Sequence, residues 1–432
     1  MNRVRSHNRS VSDVTPPPPS LAASVPVPGQ AAAPVVSNQC SKASSNAVPS
    51  DAQWDLITKF SSSSVPKYSL SRILGLTAKA GHAAATSAVV DALNLTTLKN
   101  VGDGLQSAPA RLAVVAPLLS GATIEHKAKI LAELNLSGVP VTEAMSAIDT
   151  LVNDNAVHTA LWVRPDFTVD QKFASEIGKR LGTEIISIEP DDLKGMVDSW
   201  SFGWTHGRLI DLVSETALKD KQVVVTSAMP NDLLWEPAFG RPDTIKDYPF
   251  DKHDGSTPVP QVMMTGVVDC TAAATGSYRA AALPMNNGQT FIAVVPAEGV
   301  PVESITQALS DPQALKNFFA SFVPAHGAVY VPKMRVVGMS DVSASLGSAT
   351  KGPYEAVGSE PVTLGNALAA ASIKLDEEGI ANAGGGSAHL AGRGARGEPI
   401  IECARPFLFM LRSDATGLIK AAGVYRGPDA IP

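Results

Sequence analysis

Cysteine is scarce in this chain and forms no pattern: Cys40, Cys270 and Cys403 are the only three among 432 residues. An odd number at unrelated spacings excludes a disulfide framework and a four-cysteine zinc site. Cys270 and Cys403 read as small buried apolar residues, and Cys40 as a free thiol in a tail. No apolar run approaches the ~18 residues of a membrane span, so no membrane partner is expected. Basic residues are outnumbered, 35 against 41 acidic, which argues against nucleic acid as the main partner. The eight histidines are scattered, with no His-Glu-x-x-His, no paired cysteines and no Gly-x-Ser-x-Gly, so no enzyme signature is present. Gly384 to Gly386 is no phosphate cradle, because Asp376, Glu377 and Glu378 precede it and no Lys-Ser/Thr follows. No cofactor or metal is implied.

The N-terminal segment lacks an apolar run after its basic Met1 to Arg9 and therefore does not read as a cleaved signal peptide. Pro16 to Pro19, the Ala/Pro/Val mixture to Val36 and the Ser/Asn-rich stretch to Ser50 are too poor in large apolar residues to fold. Residues 1–65 are read as a disordered leader and 66–432 as one domain. Trp54 to Phe60 is the leader's one apolar island, read as a nascent helix that touches the domain. The composition resembles that of bacterial leaders exported without a cleaved signal, which leaves the compartment open between secretion and cytoplasm.

From about Ser69 helices alternate with strands. Gly81 to Leu93, Gln106 to Leu119, Ile124 to Leu134, Val141 to Val152 and Val169 to Leu181 carry helical periodicity. Pro109 suits the first turn of the second of these, where a missing N–H is harmless. Ala156 to Val163, Glu184 to Ile188, Val223 to Met229, Val262 to Val268, Ala280 to Met285, Phe291 to Pro296 and Ala328 to Val337 read as strands.

The most telling stretch is Leu375 to Phe409. An acidic segment, Leu375-Asp-Glu-Glu-Gly379, leads into the tiny residues Ile380-Ala-Asn-Ala-Gly-Gly-Gly-Ser-Ala388, then Gly392-Arg-Gly-Ala-Arg-Gly397, then the apolar Ile401-Glu-Cys-Ala-Arg-Pro-Phe-Leu-Phe409. Such a run of small side chains can be exposed in one state and squeezed between neighbouring strands in another. A flexible glycine linker is the plainer reading of the same composition. The order and spacing resemble the serpin family, in which a reactive loop lies between an acidic-Gly hinge and a Pro-Phe strand. Ile401, Cys403, Arg405, Pro406, Phe407, Leu408 and Phe409 fit that pattern, and Ala404 departs from it. Trp204-Thr-His-Gly-Arg-Leu-Ile-Asp-Leu-Val213 resembles a helical segment of the family, Trp235 and Phe239 match its Trp and Phe, and Val331-Pro-Lys-Met334 its Leu-Pro-Lys-Phe.

The resemblance implies a mixed α/β (α+β) single domain with a large central sheet, smaller sheets, N-terminal helices and an exposed reactive loop at about 377–400. It implies a monomeric suicide-substrate inhibitor of a trypsin-like serine protease, cleaved at Arg393–Gly394 with Arg396 as rival. The hinge would be Glu377, Glu378, Gly379, Ile380, Ala381, Asn382 and Ala383, and sheet opening would involve Trp235 and Ser227. The polar latch of the family is largely replaced here, by Ala108, Arg111, Ser227 and Ala369. The helix at Val141 to Val152 lacks lysine, so no heparin-type site is expected there. A non-inhibitory binding protein and a plain protease substrate or decoy are the alternatives.

Overall fold

The computed structural model describes residues 80–428, other than 220, 230, 231, 255, 359–361, 363 and 381–398. The leader read over residues 1–65, with Cys40 and Trp54 to Phe60, lies outside the described residues. So do Arg393, Gly394 and Arg396, and the hinge positions Ala381, Asn382 and Ala383.

Five helices lead. They are α1 (Ala80–Lys99), α2 (Ala108–Gly121), α3 (Ile124–Glu133), α4 (Val141–Asp154) and, after strand β1 (His158–Val163), α5 (Gln171–Leu181). Their starts follow local chemistry. Ser107 caps α2 by accepting from the Ala110 N–H ahead of Pro109, Thr123 caps α3 and Asp170 caps α5. Gly182, left-handed at φ 65°, closes α5. Next come β2 (Glu184–Ser187), α6 (Leu193–Trp204), β3 (Val223–Met229), β4 (Leu233–Leu234), β5 (Ile245–Phe250), β6 (Val259–Ala274), β7 (Tyr278–Met285) and β8 (Gln289–Pro296). The remainder is α7 (Val302–Leu309), α8 (Pro312–Ala320), β9 (Val323–Pro332), β10 (Met334–Asp341), α9 (Val342–Leu346), β11 (Leu364–Leu375), β12 (Gly379–Ile380), β13 (Ile401–Glu402), β14 (Phe407–Ser413) and β15 (Ile419–Tyr425).

Two sheets result. The first has seven strands in the order β2-β1-β3-β11-β12-β4, with β10 also on β11. The second has eight in the order β13-β9-β6-β7-β8-β14-β15, with β5 on β6. The expected smaller sheets are thus continuous with one another, because the 16-residue β6 pairs with β9 over ten positions and with β7 at its far end. The chain is mixed α and β as its alternating pattern indicates.

Strand β11 touches three separate cores. Ala367 and Ala369 face α1 to α5, Leu368 and Ala370 face α6, and Ala371, Ile373 and Leu375 lie between the two sheets. Its contribution at mid-length is almost all alanine, so little side-chain interlocking holds it to its neighbours.

Two readings of the sequence need correction. Trp204 to Val213 is not a helix: α6 ends at Trp204, and His206 (φ 52°), Gly207 (φ 76°) and Asp211 (φ 60°) hold left-handed backbone that breaks helical continuation. Ala328 to Val337 is two strands, because after Lys333, whose N–H ends the pairing of β9 with β6 by donating to Val262 O at 2.8 Å, the chain pairs instead with β11 in the first sheet.

Candidate functional site

The centre of the first sheet is a seam. Strands β3 and β11 run parallel and pair directly, Ala367 with Val225, Leu368 with Thr226, Ala369 with Ser227, Ala370 with Ala228 and Ala371 with Met229. Past Met229 the two strands part. Into the gap fits β12, antiparallel to both sides, with Ile380 opposite Leu375 on one side and Leu233 on the other, and Gly379 opposite Leu234.

A two-residue turn delivers β12 there. The Asp376 N–H donates to Gly379 O at 2.9 Å, the Gly379 N–H returns to Asp376 O at 3.2 Å, and the Asp376 carboxylate accepts from the Glu378 N–H. Only glycine suits position 379. Its φ is +143°, and a Cβ there would sit 2.1 Å from Leu233 O. Ile380 is fully buried in the core between the sheets, with Leu233, Trp235 and Leu375 among its cluster.

Trp235 holds the turn from below. Its backbone N–H donates to Glu378 O at 3.0 Å and its indole Nε1 to Asp376 O at 2.8 Å, while its ring packs edge-on against Phe239 and Phe291. The Phe239 N–H donates to Glu377 O at 3.0 Å. Both hinge carboxylates are paired. Glu377 accepts from Lys333 Nζ at 2.7 Å and Thr244 Oγ1 at 2.9 Å, and Glu378 pairs with Arg241. Burial works to raise the Glu377 carboxyl but is outweighed by the hydrogen bonds from Lys333, its backbone and Thr244, which hold it below the usual carboxylate range.

A group depressed in the folded state stabilises above its unfolded pKa and loses that contribution as pH falls through the depressed value. The difference in melting temperature between the wild-type protein and Glu377→Gln should therefore be full at about pH 6 and shrink as pH falls below about 4.3. Thermal melts from about pH 3 to 6 read it. A difference that does not change with pH would contradict this account of Glu377.

Ser227 sits well down the seam from Trp235. Thr159, Ser227, Ala369 and Ser340 form one row across four strands. The Ser227 hydroxyl donates to Ala110 O of α2 at 2.8 Å, and the Ser340 hydroxyl to Gln106 Oε1 at 2.7 Å. Ala108 and Ala369 are buried, and the Arg111 guanidinium donates to Ser345 at 2.7 Å. Strands β3 and β10 are thus tied to the α2 region, and among the described residues no side-chain hydrogen bond in this row joins β3 to β11. Breaking the seam at this row costs backbone hydrogen bonds but no side-chain bridge.

Beyond residues 381–398 the chain is anchored again. Arg279 Nη1 donates to Pro399 O at 3.3 Å, the Ile400 N–H to Ala328 O at 2.8 Å, and Ile400 lies over Gly327. Strand β13 then runs parallel on β9, and Tyr248 donates to Glu402 at 2.6 Å. Cys403 is fully buried, as read, whereas Cys270 is half-buried. Lys333, Thr244 and Arg241 were not anticipated. Lys333 belongs to the Val331-Pro-Lys-Met334 motif, but no sequence signal pairs it with Glu377.

Residues 105–428 match the family model described as Serpin (serine protease inhibitor). Comparison with curated proteins by sequence finds none that matches. Among solved structures, human thyroxine-binding globulin complexed with thyroxine is similar at 19% identity and TM-score 0.71, over 81% of this chain and 100% of that one. Native protease nexin-1 with heparin (18%, TM-score 0.66) and a serpin from the trematode Schistosoma haematobium (17%, TM-score 0.65) each cover 81% of this chain and all of theirs. A family match over three quarters of the sequence, and a shared fold over four fifths of it, establish that the chain belongs to the serpin family.

Proposed function

We propose that this serpin inhibits a trypsin-like serine protease as a suicide substrate, by cleavage of residues 381–398 and insertion of the N-terminal half into the seam between β3 and β11. The observation that carries the reading is the register of β12. Extending its pairing with β11 sets Gly384 opposite Ala371, Gly386 opposite Ala369 and Ala388 opposite Ala367. Extending its pairing with β4 sets the same residues opposite Met229, Ser227 and Val225. Those are the β3 residues that already pair with Ala371, Ala369 and Ala367, so a strand can enter without any slip of either neighbour.

The small side chains suit that passage. Alternation sends Ile380, Asn382, Gly384, Gly386 and Ala388 inward and Ala381, Ala383, Gly385 and Ser387 outward. Ile380 already lies on the inner face. Asn382 would face Ile373 in the core between the sheets, where an unpartnered amide costs about 1–3 kcal/mol. Trapping competes with hydrolysis of the acyl-enzyme, so this cost makes the inhibitor leaky, consuming several molecules per protease held. Arg393 is the proposed cleaved residue, with Gly394 after it, since a guanidinium pairs with a carboxylate-bottomed pocket. Arg396 is the rival.

Incubation with trypsin, denaturing electrophoresis and mass spectrometry of the nicked chain test the proposal together. The expected products are a covalent complex and a larger cleaved fraction, both cut after Arg393. Cleavage outside residues 392–397 would overturn the bond assignment. Complete cleavage without complex, with trypsin and other arginine-specific proteases, would favour a substrate or a non-inhibitory binding protein.

A further inference from the structure

Helix α6 and the segment after it fold against each other as two ridges on the outer face of the seven-stranded sheet. The Ser201 hydroxyl donates to Leu209 O at 3.0 Å, the Asp211 N–H donates to Asp198 Oδ1 at 2.8 Å, and Lys194 bonds both Asp198 and Asp211. Phe202 lies over Gly207, where a Cβ would come within 2.9 Å of its ring. The underside is sealed by Leu193, Val197, Leu209 and Leu212.

The upper side is different. Phe202, Trp204 and Ile210 are 39%, 40% and 56% exposed, three of the seven large exposed apolar side chains among the described residues. Phe202 lies on Gly207 of the neighbouring ridge, Ile210 follows three residues on, and Trp204 is stacked on His158 of β1. Toward the start of α6 the ridges enclose an open groove of about 510 Å³ lined by Asp191, Lys194, Gly195, Asp198 and Glu215. Residues 184–216 hold seven carboxylates against Lys194 and Arg208. Both cations are occupied, Lys194 by Asp198 and Asp211, Arg208 by Asp232. Among the described residues no ion pair neutralises Asp191, Asp192 or Glu215.

We propose that this double ridge is a docking surface for a cationic amphipathic peptide segment of a partner protein, its apolar side chains on Phe202 and Ile210 and its lysines or arginines in the acidic groove. Charge selects the occupant. Seven carboxylates against two bound cations repel nucleic acid and anionic lipid, and a two-fold contact with a second copy would set the acidic groove near itself. An apolar core beside a charged rim is the usual anatomy of a protein contact.

Fluorescence anisotropy on the full chain tests this, with a labelled lysine–leucine helix of about four turns as probe and its glutamate–leucine counterpart as control. The lysine peptide should bind, with affinity falling about tenfold as salt rises from about 50 to 300 mM. Phe202→Ser with Ile210→Ser, and separately Asp191→Lys with Glu215→Lys, should each weaken binding about tenfold. Ile124→Ser, at a position 80% exposed on α3, should leave binding unchanged. Melting temperature is measured for every variant, so that loss of the fold is not read as loss of the site. Unchanged binding in both double variants, equal binding of the acidic peptide, or a wild-type dimer dissolved by Phe202→Ser would each overturn the proposal.

Discussion

Nicking the chain between residues 392 and 397 should raise its thermal unfolding midpoint by at least about 10 °C, which at about 2 °C per kcal/mol for a large domain means about 5 kcal/mol. The intact seam pairs β3 and β11 in parallel through alanine-rich faces, with no side-chain bridge in the Ser227 row. A strand entering between them forms two antiparallel ladders where one parallel ladder stood, and antiparallel pairing is the more stable per residue. The intact chain cannot do this easily, since residues 381–398 are held at both feet, by Trp235 at the turn before β12 and by Arg279 and β9 after it. Differential scanning calorimetry of intact and nicked protein measures the shift. Equal midpoints would mean that the nicked loop stays out of the sheet.

The hinge substitutions should have effects as large. Ile380→Asp replaces a fully buried side chain with a charge that has no partner between the sheets, where Trp235, Leu375 and Ile373 surround it. A lone buried charge costs about 3–5 kcal/mol. Because Ile380 is seated in the uncut chain as well as in the inserted form, that cost falls on the intact fold, and the variant should melt well below the wild type. A charge that enters the sheet only on insertion acts on the step itself, and a barrier raised by about 2.8 kcal/mol slows it about 100-fold. Ala383→Arg brings such a charge to the register position of Ser372, 2% exposed, and should be cleaved by trypsin at the wild-type rate while forming about one hundredth of the complex. Asn382→Ala should act in reverse and increase the ratio of complex to cleaved chain. If Asn382→Ala leaves that ratio unchanged, the amide finds a partner in the inserted state and the leakiness has another source.

How far these features were legible depends on how local their causes are. The small-residue run and its inward alternation follow from composition and the two-residue period, and Ile380 lies on the inner face as alternation requires. That Ile380 is already seated in the uncut chain was not legible. It depends on Leu233, whose strand is only two residues long and carries no periodicity. The partners of Glu377 and Glu378 come from three distant segments, and nothing near Lys333, Thr244 or Arg241 announces the pairing. Helix α6 was missed because its buried stripe is only Leu193, Val197 and Ser201. The resemblance of Trp204 to Val213 to a helical segment of the family drew the helix reading to the irregular segment beside it. The helix starts have local causes, since Ser107, Thr123 and Asp170 cap through atoms three residues away.

The most direct measurement locks the seam. Ser227 and Ala369 are paired across β3 and β11 in one row, on neighbouring strands whose spacing of about 5 Å falls in the range a disulfide spans. In a chain carrying Ser227→Cys and Ala369→Cys, with Cys40→Ser to remove the tail thiol, trypsin should still cleave the oxidised protein. It should form no covalent complex and gain no thermal stability on nicking until the staple is reduced, when both return. Equal trapping by the oxidised and reduced forms would mean that the loop does not enter between β3 and β11, and would contradict the proposed mechanism at its centre.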